Sequence, residues 1–288
     1  MKYGFMKAHH GRFRLTAMLN VFGVSSSGYY DWLKRDISTR QGKQIHRDTL
    51  IKQAFKQSKE RSGSPNIWRD LCEAGYHCDR KTVATSMQRQ GLRAKAARKF
   101  KVTTSTKHKL PVAPNVLEQD FTAARPNQKW VGDITYLWTN EGWLYLATII
   151  DLYSRAVIGW SLSSRINTQL VSDALTMALW RRHFPKGVVV HSDRGSQYCS
   201  NAYQQLLSDY ELISSMSGKG NCYDNAVAES FFHTLKVEAI HGERFATRQQ
   251  LRQTIFEYIE VDYNRHRRHS AANYLPPMIF EQQFDQAS

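Results

Sequence analysis

The sequence lacks any apolar run long enough to cross a bilayer. The longest, around Trp143 to Ile150, falls far short of the ~20 residues a spanning helix needs. No secretory leader is expected either, because MKYGFMKAHHGRFR carries basic residues but no apolar segment ahead of a small-residue cleavage site. No membrane partner is expected, and a cytoplasmic protein is the default. Cysteine is scarce: Cys72, Cys78, Cys199 and Cys222 are scattered too widely for a disulfide framework. Only Cys72 and Cys78, with His77 beside them, hint at a zinc site. The gap between them and the absence of a second close pair favour free, buried or partly buried thiols instead. Acidic residues are scarce in one region only. Residues 1–110 hold 24 Lys/Arg against 7 Asp/Glu, a net of +17, whereas residues 111–288 hold 16 against 18, a net of −2.

What is present reads as globular: 41 % hydrophobic and 12 % aromatic residues exclude a disordered chain. A length of 288 residues allows two or more domains. The charge asymmetry points to a polyanion-binding module joined to a nearly neutral second domain. The alternative is a basic surface kept for solubility.

Patterning divides the chain into residues 1–40, 41–102, 103–126 and 127–288. In the first segment an apolar helix (Leu15, Met18, Leu19, Phe22) stops at Gly23, and Ser25 to Ser27 offer caps for a second helix. This is the outline of a helix-turn-helix, and equally of a plain helical hairpin. The second segment repeats it, with helices expected over 48–62, 64–74 and 80–89. The last helix and its exit carry Arg80, Lys81, Arg89, Arg93, Lys95, Arg98 and Lys99, as a recognition helix with a phosphate-neutralising tail would. Residues 103–126, rich in Thr, Pro and Asn, read as a linker. From Gln128 the pattern becomes strands over 130–139, 143–150 and 156–162, a helix over 167–184 and a buried strand over 188–191. A helix near 201–210, a strand near 212–215 and a long helix over 223–240 follow. An α/β fold results: a mixed five-stranded sheet with flanking helices, preceded by small all-α modules. The basic run NRHRRHS near the end brings Arg265, Arg267 and Arg268, either as a solvated helix end or as contacts to a DNA backbone.

Three acids stand out. Asp133 lies mid-strand, where Asp is disfavoured, and a lone buried carboxylate is costly unless paired or bound to a metal. Asp193 follows the buried strand, where α/β folds commonly place ligands. Glu229 lies in the long helix, with His233 and Lys236 on its face. Singly, each reads as well as a structural acid. Together they suit phosphoryl transfer, which uses hard oxygen ligands to hold two Mg²⁺ ions. Asp151 reads as a turn residue and Asp224 as a helix cap.

The motifs WVGDITYLWT, HSDRGSQYCS and GNCYDNAVAESFFHTLKVE, with 35 residues between Asp193 and Glu229, resemble the integrase-type core of OrfB transposases of the insertion-sequence-three family. The resemblance continues through GVSSSGYYDW, SGSPNIWRDL, RKTVATSMQRQGLRAK and YNRHRRHSAANYLPP. It implies an RNase H-like fold and a catalytic, metal-binding triad of Asp133, Asp193 and Glu229. Lys236 falls on a basic position of the family and is expected to meet DNA. The implied cofactor is Mg²⁺, with Mn²⁺ as a substitute. The implied partners are double-stranded DNA (inverted-repeat ends and target), further copies of the chain on that DNA, and an upstream-frame product carrying a leucine zipper. A nucleoid-associated, DNA-cleaving and DNA-joining enzyme is expected. Competing classes are a serine or tyrosine recombinase (Ser192 and Tyr198 flank Asp193, without surrounding arginines), a simple nuclease and a non-catalytic DNA-binding regulator.

Overall fold

A computed structural model describes residues 2–36, 38–95, 111–218 and 222–287, which form two compact units, 1–93 and 94–288. The first unit is all helical: α1 (Lys2–His9), α2 (Leu15–Phe22), α3 (Ser26–Lys34), α4 (Thr39–Gln57), α5 (Ser64–Glu73) and α6 (Arg80–Arg89). Its boundaries follow local chemistry. Gly23 ends α2 in the left-handed conformation, and the Ser25 hydroxyl accepts from the Gly28 N–H at 3.1 Å to start α3. Gly75 and Gly91, both at positive φ, end α5 and α6, and Asp79 caps α6 by accepting from the Lys81 N–H at 2.6 Å. Two small cores result, one from Met6, Met18, Leu19 and Tyr29 and one from Ile51, Phe55, Ile67, Leu71, Val83 and Met87. Helix α4 begins nine residues earlier than its apolar face suggests, because Ser38 supplies a cap by accepting from the Gln41 N–H. Helix α1 buries only Met6, too little for the sequence pattern to reveal.

The second unit is built on a sheet ordered β3-β2-β1-β4-β5, with β1 (Lys129–Thr139), β2 (Gly142–Asp151), β3 (Val157–Ser163), β4 (Val189–Ser192) and β5 (Ile213–Met216). The first three strands are antiparallel neighbours, while β1, β4 and β5 run parallel. This is the expected mixed five-stranded sheet. One face packs on α7 (Thr168–Arg181) and α8 (Asn201–Asp209), burying Trp130, Ile149, Ile158, Val171 and Leu175. The other packs on α9 (Ala226–Leu235) and α10 (Arg248–Phe256), burying Val131, Leu144, Ile150, Phe231, Leu251 and Ile255. Gly159 lets α7 lie directly on β3, since a Cβ there would collide with the Ala174 carbonyl oxygen.

The long helix expected over 223–240 is segmented: a 3-10 turn over 222–225, then α9, then a π-helical turn over 236–240. A second π-helical stretch, 257–263, follows α10, and α11 (Pro277–Ala287) packs Phe280 and Phe284 against Tyr153. Among the described residues no helix is long and apolar enough to cross a membrane. Cys72 and Cys78 are half-buried free thiols and Cys199 is a buried one.

Candidate active site

Strand register brings two of the acids together. Lys129, Trp130 and Val131 of β1 lie opposite Val189, Val190 and His191 of β4 in parallel. Continuing that offset places Asp193, just past the end of β4, beside Asp133, with neighbouring strands about 4.8 Å apart. Both residues are half-buried. Desolvation pushes the Asp133 carboxyl well above the ordinary range. The Asp193 charge pushes it further and Glu229 adds to this, while a hydrogen bond from the Ile134 N–H and the Lys236 charge pull it back. One Asp133 oxygen accepts from Ile134 at 2.8 Å, and Asp193 accepts from the Gly195 N–H at 2.9 Å. Glu229 sits on α9 in a more open position, exposed, its carboxyl raised by burial of its inner part. Among the described residues no three His, Cys, Asp or Glu side chains converge closely enough to hold a metal ion. The Asp193 and Glu229 charges both bear on the Asp133 carboxyl, Asp193 the more strongly.

The donor set nevertheless fits a hard divalent cation. All the candidate ligands are carboxylate oxygens, and a close acid pair in a desolvated position calls for a compensating positive charge.

Lys236 lies at the far end of α9, but its side chain turns inward rather than out with the exposed His233. Its ammonium sits 5.3 Å from the Tyr136 ring centroid, and burial lowers its pKa to about 8 against the opposing pull of Asp133. The apolar stem is buried and the head faces the acids. Tyr198 lies behind the pair, wholly buried, and its hydroxyl finds no hydrogen-bond partner among the described residues. Burial, then Asp133, push that hydroxyl well above the usual tyrosine range, and Ser192 is buried with its hydroxyl donating to the Asp193 carbonyl. Neither is placed as a recombinase nucleophile would be. Sequence reading also missed His191, buried between the Ser215 hydroxyl at 2.8 Å and the Ser217 hydroxyl at 3.2 Å and depressed by burial to about 4.

The basic residues separate into two kinds. Arg80, Lys81, Arg93 and Lys95 are exposed. Arg89 is exposed but bonded to Asp48 of α4 through both carboxylate oxygens, at 2.5–2.6 Å. Arg98 and Lys99 lie outside the described residues. Of the arginines in the C-terminal run only Arg265 is fully exposed. Arg267 bonds Glu238 at 3.0 Å and Arg268 donates to the Tyr274 carbonyl at 3.2 Å, so both turn at least partly inward. Asp151 organises the turn after β2 as expected, accepting from the Tyr153 N–H at 2.9 Å. Asp224 does not cap α9. The cap position is Asn225, with no side-chain bond to the helix, and Asp224 instead accepts from Gly218, Asn115 and Gln119.

A mixed sheet flanked by helices, with one acid inside β1, another just past the end of the neighbouring parallel β4, and a separate basic helical unit, defines a nucleic-acid-processing enzyme of the integrase type. Family models agree: "Integrase core domain" matches residues 123–222 and again 229–284, and "HTH-like domain" matches 44–100. The chain is 56 % identical over 283 residues to Transposase InsF for insertion sequence IS3A of Escherichia coli (strain K12), covering 98 % of each protein. It is 43 % identical over 269 residues to the insertion element IS600 uncharacterized 31 kDa protein of Shigella sonnei, covering 93 % of this chain and 99 % of that protein. Solved structures with similar folds include the simian T-cell lymphotropic virus intasome in complex with PP2A regulatory subunit B56 gamma. That match has 14 % identity and a TM-score of 0.45, over 79 % of this chain and 73 % of that one. Another is the HTLV-2 integrase catalytic core domain in complex with magnesium (trimeric form), at 14 % identity and a TM-score of 0.41, over 56 % of this chain and 99 % of that one. The chain belongs to the InsF-type transposases of the insertion-sequence-three family. It is a DNA-binding enzyme that cuts and joins DNA.

Proposed function

We propose that Asp133, Asp193 and Glu229 are the catalytic carboxylates of this transposase and that they hold Mg²⁺, with Mn²⁺ as a substitute. The observation that carries this reading is the placement of Asp133 and Asp193 together by strand register, with the Asp133 carboxyl raised by burial and by its partner. A bound divalent cation supplies Lewis-acid activation of the attacking oxygen and stabilises the leaving one. Lys236 stands beside Asp133, where it balances the acidic pair and offers positive charge to a phosphate at the same place. The substrates in this reading are the terminal inverted repeats of an insertion sequence and a target duplex. Water attacks a phosphodiester at the element end and frees a 3′-OH, which then attacks the target phosphodiester in line. No protein–DNA bond forms.

The division of labour follows the sequence boundaries except at the linker. Residues 1–40 and 41–102 bind DNA, with Arg80, Lys81, Arg93, Lys95, Arg98 and Lys99 on backbone phosphates and Arg89 reaching them beside its bond to Asp48. The core takes in 111–126 as well as 127–288, because Leu117 is buried in its apolar cluster and the Ser215 hydroxyl accepts from the Val116 and Leu117 N–H groups. The expected linker over 103–126 thereby shortens to 103–110, and Arg265 of the core contacts the DNA backbone. Several copies act together on the DNA, at the nucleoid in the cytoplasm, with the upstream-frame product as fusion or helper. The test is incubation of a labelled inverted-repeat end with Mg²⁺ or Mn²⁺, comparing wild type with Asp193→Asn. Wild type gives cleaved and joined products and the variant gives neither while still binding the end. Unchanged cleavage and joining by the variant contradicts the assignment, and hydrolysis without joining by wild type identifies a nuclease.

A further inference from the structure

We infer that Asp224 and Asn225 are positioning residues that fix the three acid-bearing elements relative to one another. The inference rests on the triad reading above. Asp224 is 1 % exposed, and its carboxylate collects donors from the nearby residue 218 and from the distant segment 115–119. The Gly218 N–H donates at 2.6 Å and the Gln119 and Asn115 side-chain amides at 2.9 and 3.2 Å. Gly218 follows Ser217, whose N–H donates to the Ser192 carbonyl at 3.0 Å and whose carbonyl accepts from Arg194 Nε at 2.5 Å. Asp224 is thereby tied to the chain on both sides of Asp193. Asn225, 6 % exposed, donates from Nδ2 to the Gly132 carbonyl at 3.3 Å, immediately before Asp133. The next residue begins α9, which carries Glu229.

One dipeptide thus touches β1 beside the first acid, reaches the loop around the second and starts the helix of the third. A further anchor strengthens the frame: the Ser215 hydroxyl accepts from the Val116 and Leu117 N–H groups at 2.9 and 3.2 Å, holding segment 115–119 against β5. A buried carboxylate with three donors resists movement because each donor lost leaves a desolvated group unpaired. Such supporting shells commonly govern metal affinity and rate by about 10–100-fold.

The test uses full-length Asp224→Asn and Asn225→Ala beside wild type and Asp193→Asn. Calorimetry of Mn²⁺ added to the protein bound to an inverted-repeat end reads cation affinity without chemistry, and a single-turnover assay reads cleavage. Both positioning variants bind the DNA end within about twofold of wild type, but their Mn²⁺ affinity and cleavage rate each fall about 10–100-fold. Raised Mn²⁺ restores much of that rate, whereas Asp193→Asn stays inactive at any concentration. Unchanged Mn²⁺ affinity in both variants overturns the inference, as does a parallel loss of end binding and melting temperature. If Asp224→Asn does not fold, Gln119→Ala, which removes one donor, carries the test with a fall in Mn²⁺ affinity and cleavage rate in the same direction. Cleavage retained by Asp193→Asn instead sinks the triad reading on which this one rests.

Discussion

At the scale of single residues, the protein holds one imidazole neutral at a cost that acid reveals. Burial depresses His269 to about 3, and the Arg267 and Arg155 charges push the same way. Arg267 Nη1 lies 3.4 Å from His269 Nε2, so that nitrogen accepts and carries no proton, and the Tyr263 ring meets the imidazole edge-on. An unfolded chain protonates this residue near pH 6.5, while the folded protein excludes the proton until far lower. The resulting stability is complete above about pH 6.5 and drains away as pH falls toward 3, by about 1 kcal/mol per unit. His191 contributes in the same direction, so the effect is isolated by a variant. Urea unfolding at pH 7.5 and 5.5 should show wild type losing about 1 kcal/mol more than His269→Gln. Equal losses in the two proteins would mean that the imidazole takes up its proton in the fold as readily as in the unfolded chain.

At the scale of elements, the two π-helical stretches are joined to each other and to the basic C-terminal run. Tyr258 of the second stretch donates to Glu238 of the first at 2.9 Å, and Arg267 donates to the same carboxylate at 3.0 Å. Glu238 lies just beyond α9, so this junction braces the helix that carries Glu229. Arg267→Ala strands a mostly buried carboxylate and should cost about 2–3 kcal/mol, below the full buried-pair value because both partners keep some solvent. Arg265→Ala should leave stability alone and weaken end binding. Thermal melts and salt-dependent binding of the two variants separate the roles, and a melt unchanged by Arg267→Ala refutes the brace. The run NRHRRHS shows how far the sequence alone could be read. Its charge is plain, but whether an arginine turns out to DNA or in to Glu238 depends on a partner 29 positions away. Asp224 misled for the same reason, since an acid before a helix reads as a cap and its amide donors lie more than 100 positions upstream. Strands were easier. Alternation in β1 and β2 and the apolar run of β4 placed them within a residue or two, and with them Asp133 and Asp193. That Glu229 is exposed while the two Asp residues are half-buried left no trace in the pattern.

At the scale of the whole molecule, the chain separates a net +17 over residues 1–110 from a core of net −2. Binding DNA should therefore release counterions mainly through the first region, with the logarithm of affinity falling linearly against the logarithm of salt. Arg80→Ala and Lys81→Ala on exposed α6 should each reduce that slope by about 1, with sequence preference unaltered. A slope that stays at the wild-type value would place phosphate contact elsewhere. The central claim concerns the core: joining is a direct attack of a DNA 3′-OH on a phosphodiester, held by carboxylates and without a protein nucleophile. It is tested most directly with a target phosphodiester made as a single phosphorothioate diastereomer and joined to a pre-cleaved inverted-repeat end. A single in-line displacement inverts the configuration at phosphorus in the joined product. Retention would require two displacements through a protein–DNA intermediate and would contradict the account.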